Sequence, residues 1–363
     1  MDGALTDCIE RIRAASARGT PLRVRGGGSK DFYGEPATGE VLETAGLNGI
    51  RSYEPSELVV TVGAGTPLAE LEATLAREGQ CLPFEPPRFG GAATVGGMVA
   101  AGLSGPARAS VGSVRDYVLG LSMVNGRGEL LTFGGQVMKN VAGYDVSRLM
   151  AGALGTLGLI VEVSLKVLPR APAEATLRFE LPQAEALKRL HAWGGQPLPL
   201  NASRWAEEAS GPALTLRLRG AVAAVDAACH ALGGERIDDG VAQADWDACR
   251  DHRLSWFAER AGRDLWRLSV PQTAPVLDLP EPPLVEWHGG QRWVSAELGG
   301  ADRLRRVAER AGGHATLFRA NAAGTRTPRF HPLAPPLDRI HRELKREFDP
   351  AGIFNRGRLY PDL

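Results

Sequence analysis

Apolar positions recur along this chain in several rhythms, and each rhythm predicts a different element. Leu5, Ile9 and Ile12 fall at helical spacing among charged residues, which predicts an amphipathic helix over 5–17 that Gly19 ends. Residues 21–25, 41–44 and 58–62 read as short strands. The third ends in Gly63-Ala64-Gly65 and leads into a helix over 67–77, with Thr66 as its N-cap, Pro67 at the first helical position and Leu68, Leu71 and Leu75 as its buried stripe. Strand-like runs over 117–124 and 129–133 flank Asn125-Gly126, a hairpin signal. The β-branched run 159–167 predicts a buried strand.

Beyond the prolines at 169 and 172 the rhythm changes. Residues 175–180, 213–219 and 265–269 alternate polar and apolar, as in an antiparallel sheet with one solvated face, and helices over 183–192, 222–231 and 302–311 lie between them. Residues 271–283 read as a proline-rich loop. Leu337, Ile340, Leu344 and Phe348 line one face of a late helix, and a compact turn over 349–355 follows. The expected organisation is a domain over 1–170, an α+β domain over 171–345 and a tail over 346–363 that returns to the first domain.

Two glycine clusters interrupt these rhythms. The strand at 21–25 empties into Gly26-Gly27-Gly28-Ser29-Lys30, which can form either an anion-binding nest of backbone N–H groups or a flexible surface turn. Gly96, Gly97, Gly102, Gly105 and Gly112 come too densely for a helix interior or a strand, so they are expected to let main-chain N–H groups approach a flat, anionic partner. The turn at 63–65 superficially resembles a nicotinamide-binding fingerprint, but Gly63-x-Gly65-x-x-Leu68 lacks the third glycine, and Glu85 sits among prolines rather than at a strand end.

Composition narrows the classes. The 363 residues carry a formal charge of zero, so no global field recruits nucleic acid or an anionic membrane. Cys8, Cys81, Cys229 and Cys249 are scattered, which argues against an iron–sulfur cluster, a zinc site or a disulfide framework in this chain and for a reduced, cytoplasmic compartment. No secretory signal or apolar membrane span is expected, and any membrane contact would be indirect, through a partner. The seven tryptophans can stack on a ligand or pack cores.

In order, four motifs carry a resemblance: Arg25 to Lys30; Thr94-Val95-Gly96-Gly97-Met98 through Gly102 and Gly105, with Gly112-Ser113-Val114-Arg115-Asp116; Lys139-Asn140-Val141-Ala142-Gly143-Tyr144-Asp145, with Gly155-Thr156-Leu157-Gly158-Leu159-Ile160; and the tail from Phe348 to Asn355. Together they resemble the flavoprotein oxidases of the vanillyl-alcohol oxidase type, the PCMH-type FAD-binding fold. The resemblance implies an α+β chain with a two-subdomain FAD-binding domain and an α+β cap built on an antiparallel sheet. It implies that the first two motifs hold the FAD pyrophosphate, that the third lies against the ribityl chain and ring, and that Asn355 returns to the flavin. Pro83-Phe84-Glu85-Pro86-Pro87 and Ser113 to Asp116 narrow the resemblance to FAD-binding subunits of bacterial glycolate oxidase complexes, with Pro87 added to the cofactor residues. Oxidation of a 2-hydroxy acid beside a second FAD-containing subunit and an iron–sulfur subunit is then implied, with the chain at most peripheral at the cytoplasmic face of the inner membrane.

Several positions depart from the pattern. Covalent members often carry histidine where Ser29 and Lys30 stand, and no cysteine lies in the second motif, so noncovalent FAD is expected. Leu154 stands where relatives often place an acid, and Arg356 stands where proline is common. No Gly-Asp-Gly-Asn-x-His metal and substrate motif occurs after Arg170, and His288, His314 and His331 are isolated, read as structural or exposed. Arg319, Arg326 and Arg329 are available cations, read as surface residues or subunit contacts. No catalytic base is assigned. Competing readings are a self-sufficient FAD-linked hydroxy-acid or alcohol dehydrogenase, a structural subunit with a vestigial flavin site, and a nicotinamide-dependent reductase on the same fold.

Overall fold

The computed structural model describes residues 2–135, 145–296, 300–321 and 327–363. The chain divides into two units. The first gathers Met1–Leu103, Ser113–Pro169 and Pro332–Leu363, and the second gathers Ser104–Gly112 and Arg170–His331. The late helix, assigned by sequence to the end of the cap, therefore belongs to the first unit.

In the first unit a five-stranded antiparallel sheet runs in the order Ile50–Glu54, Val59–Gly63, Leu159–Lys166, Val118–Val124, Leu130–Gly134. The β-branched run at 159–166 takes the centre because apolar side chains on both of its faces find cover. Ile160, Val163 and Leu165 pack with Val60, Val62, Leu71 and Val99, whereas Leu159 and Val161 pack in a second core with Ile12, Leu22, Leu42 and Phe354, the alternation shifting at the irregularity between Ile160 and Glu162. One strand thus serves two cores, which is the physical content of the two-subdomain expectation. Beside the second core Leu22–Arg25 pairs in parallel with Glu40–Glu43. The tail joins on the other side, Leu22 N–H donating to the Ile353 carbonyl (2.7 Å) and Asn355 N–H to the Leu22 carbonyl (2.9 Å).

Local expectations held where side-chain pattern alone decides. The entry helix spans Asp2–Arg18, and Ile12 is fully buried. The hairpin forms, but its connection is longer than a two-residue turn: Asn125 Oδ1 accepts from both Arg127 N–H and Glu129 N–H. Thr66 does not cap the next helix. That helix spans Leu68–Arg77 with Pro67 at the cap, and Thr66 Oγ1 instead accepts from Gly49 N–H (2.8 Å).

The second unit is an eight-stranded antiparallel sheet in the order Glu235–Ile237, Ala173–Glu180, Gly211–Gly220, Leu200–Glu208, Leu284–Glu286, Gln291–Ala296, Asp264–Ser269, His314–Arg319. Leu177, Leu214, Leu216 and Leu218 meet Leu187, Leu190 and Val225 from the helices Gln183–Gly194 and Val222–Leu232. The alternating polar positions are not solvated as expected. The helix Asp239–Arg250, which the pattern missed, lays Trp246 among them. Trp246 Nε1 donates to Thr176 Oγ1 (3.0 Å), the Arg217 and Arg204 guanidinium groups stand 4.8 and 5.8 Å from its ring, and Arg204 pairs with Asp245. Stacking and pairing let these arginines be buried without an orphaned charge. The α+β class and the antiparallel cap sheet are as expected.

Candidate functional site

A cleft with two adjoining lobes opens in the first unit, sharing Val24, Gly26, Gly97, Ala100, Leu154 and Asn355 as a common wall. One lobe is polar, bordered by Arg23, Arg25, Lys30, Asp31, Thr94 and Arg358 around Gly26, Gly27, Gly28 and Ser29. The other is apolar, bordered by Ala64, Leu159 and Ile160 with Gly96, Gly155 and Gly158.

The polar lobe is built on the strand Leu22–Arg25 and the loop after it. The backbone N–H groups of Gly26, Gly27, Gly28 and Ser29 have no hydrogen-bond partner among the described residues. Gly28 has φ of 72°, so the loop curls as a nest, and a Cβ at Gly27 would overlap the Ala92 carbonyl oxygen. Unpaired donors of this kind require an acceptor. Around them, Asp31 Oδ2 accepts from Arg23 (2.7 Å) and Arg25 Nε (2.9 Å), and the bond to Asp31 makes Arg25 hold its proton more tightly than an ordinary arginine. Arg358 reaches from the tail to the carbonyls of Asp31 (3.0 Å) and Glu35 (2.6 Å), fixing the loop from outside.

The second glycine cluster works differently from expectation. Val95–Ala101 is a helix despite its glycines, with Thr94 as N-cap and Gly102 in the left-handed conformation at its end. Its first donors are already occupied: Val95 by the Thr66 carbonyl, Gly96 by the Ala64 carbonyl (2.7 Å), Gly97 by Thr94 Oγ1 (3.2 Å) and Met98 by the Thr94 carbonyl. Those N–H groups are therefore not offered to an anion. The glycines serve approach instead, since a Cβ on Gly96 would stand 2.7 Å from that of Ala64, and Gly97 leaves a bare backbone wall shared by both lobes.

The remaining sequence candidates are dispersed. Val95, Met98 and Val114 are core residues, and Pro87 is buried outside the lining. Ser113 and Asp116 form a capping box for Val114–Tyr117: Asp116 Oδ2 accepts from Ser113 N–H and hydroxyl, and although burial opposes it these bonds hold the carboxyl below its usual range. Arg115 is exposed, and Asp145 caps Val146–Leu149 while pairing with Arg148. Gly105 and Gly112 belong to the second unit, where the Gly105 carbonyl accepts from Trp287 Nε1 (3.0 Å). Lys139, Asn140, Gly143, Tyr144 and Arg326 lie outside the described residues. Arg329, read as a surface residue or subunit contact, is buried, and Arg319, read the same way, is half-buried with burial weakening its hold on its proton.

Sequence reasoning missed Val24, Thr44, Ala64, Ala100, Leu154 and Arg358 as lining residues. The signal for Arg358 was its place three residues after Asn355. The small residues carried none, because only packing brings them to the cleft. Asn355 ties the wall together: its Oδ1 accepts from Val24 N–H (2.8 Å) and its Nδ2 donates to the Leu154 carbonyl (2.6 Å). Behind it, buried Lys345 donates to Asp349 Oδ2 and to the carbonyls of Thr156 and Phe354, which fixes the tail to the segment before Gly158.

The arrangement fits a ligand with an anionic link and a flat, largely apolar part. Four free N–H groups and flanking cations suit a pyrophosphate, and the glycine-walled apolar lobe suits a ring system. Among the described residues, no helix is long and apolar enough to cross a membrane.

Residues 4–134 match the FAD binding domain family, so the cofactor of this fold is FAD. The chain is 33% identical over 175 residues to the glycolate oxidase subunit GlcD of Bacillus subtilis, covering 47% of this chain and 37% of that protein. In fold it is similar to a solved alkyldihydroxyacetonephosphate synthase, with a TM-score of 0.64 at 16% identity, over 96% of this chain and 73% of that one. It is 45% identical over 355 residues to the glycolate oxidase subunit GlcE of Escherichia coli K12, spanning 98% of this chain and 97% of that protein. That likeness runs through both units and the tail, and the chain belongs to the family of the glycolate oxidase subunit GlcE.

Proposed function

We propose that this chain is a noncovalent FAD-binding subunit of a complex that oxidises glycolate to glyoxylate, acting beside a second FAD-containing subunit and an iron–sulfur subunit. The observation that carries this reading is the run of four unpartnered N–H groups at 26–29 in the polar lobe, in a chain alike over nearly its whole length to a glycolate oxidase subunit. Bound FAD supplies a two-electron acceptor for a 2-hydroxy acid and an exit for electrons. The chain's own groups hold it. The N–H groups of Gly26 to Ser29 accommodate the pyrophosphate oxygens, and Arg25 and Lys30 offset their charge. Val24, Ala100, Leu154 and Ile160 keep water from the apolar lobe. Gly97, Gly155, Gly158 and Asn355 form its close walls.

Ser29 and Lys30 after the loop offer no flavin-linking histidine or cysteine, which supports noncovalent attachment. The scattered cysteines support onward transfer through a partner, since one-electron relay needs a centre that four separate thiols do not build. A cytoplasmic setting, with indirect membrane contact through the complex, follows from the same reading.

The test is glycolate-dependent dye reduction by the isolated FAD-loaded chain and by the chain co-expressed with its companions. Turnover is expected only from the complex, and acid precipitation should release the flavin. Robust turnover by the chain alone would refute the subunit reading.

A further inference from the structure

The tail that borders the cleft has a second side. Asn355 and Arg358 line the lobes, whereas Arg356 borders a separate groove of about 600 Å³, formed by the later turns of the helix Pro335–Phe348, the turn after it and Pro361 to Leu363. Two of its cations are neutralised within the fold: Lys345 by Asp349, and Arg342 by Asp338 and Asp362. The other two are not. Arg346 Nε donates to the Arg342 carbonyl and Arg356 Nε to the Gly352 carbonyl, and neither has a carboxylate partner among the described residues. Pro350, Ala351 and Pro361 add apolar lining.

The turn presenting these groups is fixed. Asp349 accepts from Ile353 N–H (3.0 Å) and Phe354 N–H (2.8 Å), and Gly352 has φ of 60°. The turn thus sets where the Arg356 side chain leaves the backbone, and its bond to the Gly352 carbonyl (2.9 Å) orients the guanidinium at the groove.

We infer that this groove docks an acidic segment of a companion subunit, its carboxylates meeting Arg346 and Arg356 and its apolar side chains resting on Pro350 and Ala351. The inference rests on the reading of the chain as a subunit of a complex. Charge complementarity carries it, because two guanidinium groups without a carboxylate partner among the described residues border a groove with apolar lining, whose volume of about 600 Å³ exceeds that of a single small anion. Docking there places the companion on the far side of the same short tail whose Asn355 and Arg358 border the cleft.

The experiment co-expresses the tagged chain with its companion flavoprotein and iron–sulfur subunits. It compares the native chain with Arg346→Glu/Arg356→Glu, with the milder Arg346→Gln/Arg356→Gln, and with Arg339→Glu, a control on the same helix outside the groove. The reversed pair should lower companion retention about tenfold or more. The glutamine pair should lower it less, and Arg339→Glu should match the native chain. FAD uptake by each isolated chain verifies folding and should be unchanged. Native-like retention by the reversed pair, or retention lost with FAD uptake lost and with the glutamine pair unaffected, would overturn the docking site. So would inorganic phosphate raising the melting temperature of the native chain alone while companions stay bound to every variant. A native chain that retains no companion would overturn the complex reading itself, and the groove with it.

Discussion

Asn355 has φ of 38° and uses both ends of its amide on backbone groups from Val24 and Leu154, two segments distant in the chain. Asn355→Ala would leave a donor and an acceptor without partners, each costing about 1–3 kcal/mol. The expected outcome is a lower urea midpoint with weakened FAD affinity, read by denaturation and by flavin fluorescence titration. Native affinity in a folded Asn355→Ala chain would show that the cleft wall does not depend on this clasp. His288 makes a contrasting case in the second unit. Its ring donates to or accepts from Ser110 (2.9 Å), its Nδ1 is buried with no hydrogen-bond partner among the described residues, and burial lowers its pKa from 6.5 to about 4. Its stability contribution is therefore present above pH 6.5 and lost as pH falls through 4, because the unfolded ring takes a proton that the folded ring refuses. The loss should reach about 3 kcal/mol. Urea midpoints at pH 7, 5 and 4 should fall in the native chain and flatten in His288→Gln.

At the scale of elements, the helix Val95–Ala101 carries the lesson of the second glycine cluster. Glycine costs a helix interior about 1 kcal/mol per residue, and that cost argued against a helix from sequence. The helix forms because Gly96 lets it sit against Ala64, an approach that a methyl group would block. Gly96→Ala should destabilise the fold by about 1–3 kcal/mol through overpacking despite its better propensity. Gly97→Ala meets only Thr94 Oγ1 at 3.1 Å and faces the cleft, so it should leave thermal stability near native while weakening FAD binding. Thermal unfolding and FAD titration of both variants separate the two roles, and equal behaviour would contradict them. The hairpin over 118–134 and the central strand Leu159–Lys166 were legible because alternation and β-branching are local signals. The helix Asp239–Arg250 was not, since its buried stripe is thin and its main anchor, Trp246, packs on arginines rather than on an apolar sheet face.

Across the whole molecule, all seven tryptophans lie in the second unit, whereas the glycine-walled cleft proposed to hold FAD lies in the first. Tryptophan emission and flavin release therefore probe different cores. FAD at a hundredfold excess over its dissociation constant should stabilise the first by about 2.7 kcal/mol. Heating scans with both signals should show flavin release moving upward with added FAD more than the tryptophan transition does, and identical shifts would mean that the two units unfold together. The hairpin over 118–134, the alternating strands beyond Arg170 and a glycine loop after the first strand were legible in the chain alone, because glycine freedom and apolar periodicity are properties of short segments, and the α+β FAD-binding fold followed from the resemblance its motifs carry. Tertiary structure alone decided which of the marked residues reach the cleft. It turned the second glycine cluster from a supplier of donors into a closely packed helix, sent Gly105 and Gly112 to the other unit, and brought Val24, Leu154 and Arg358 to one wall. Those outcomes depend on which chain segments lie against each other, and spacing along one segment carries no record of its distant neighbours.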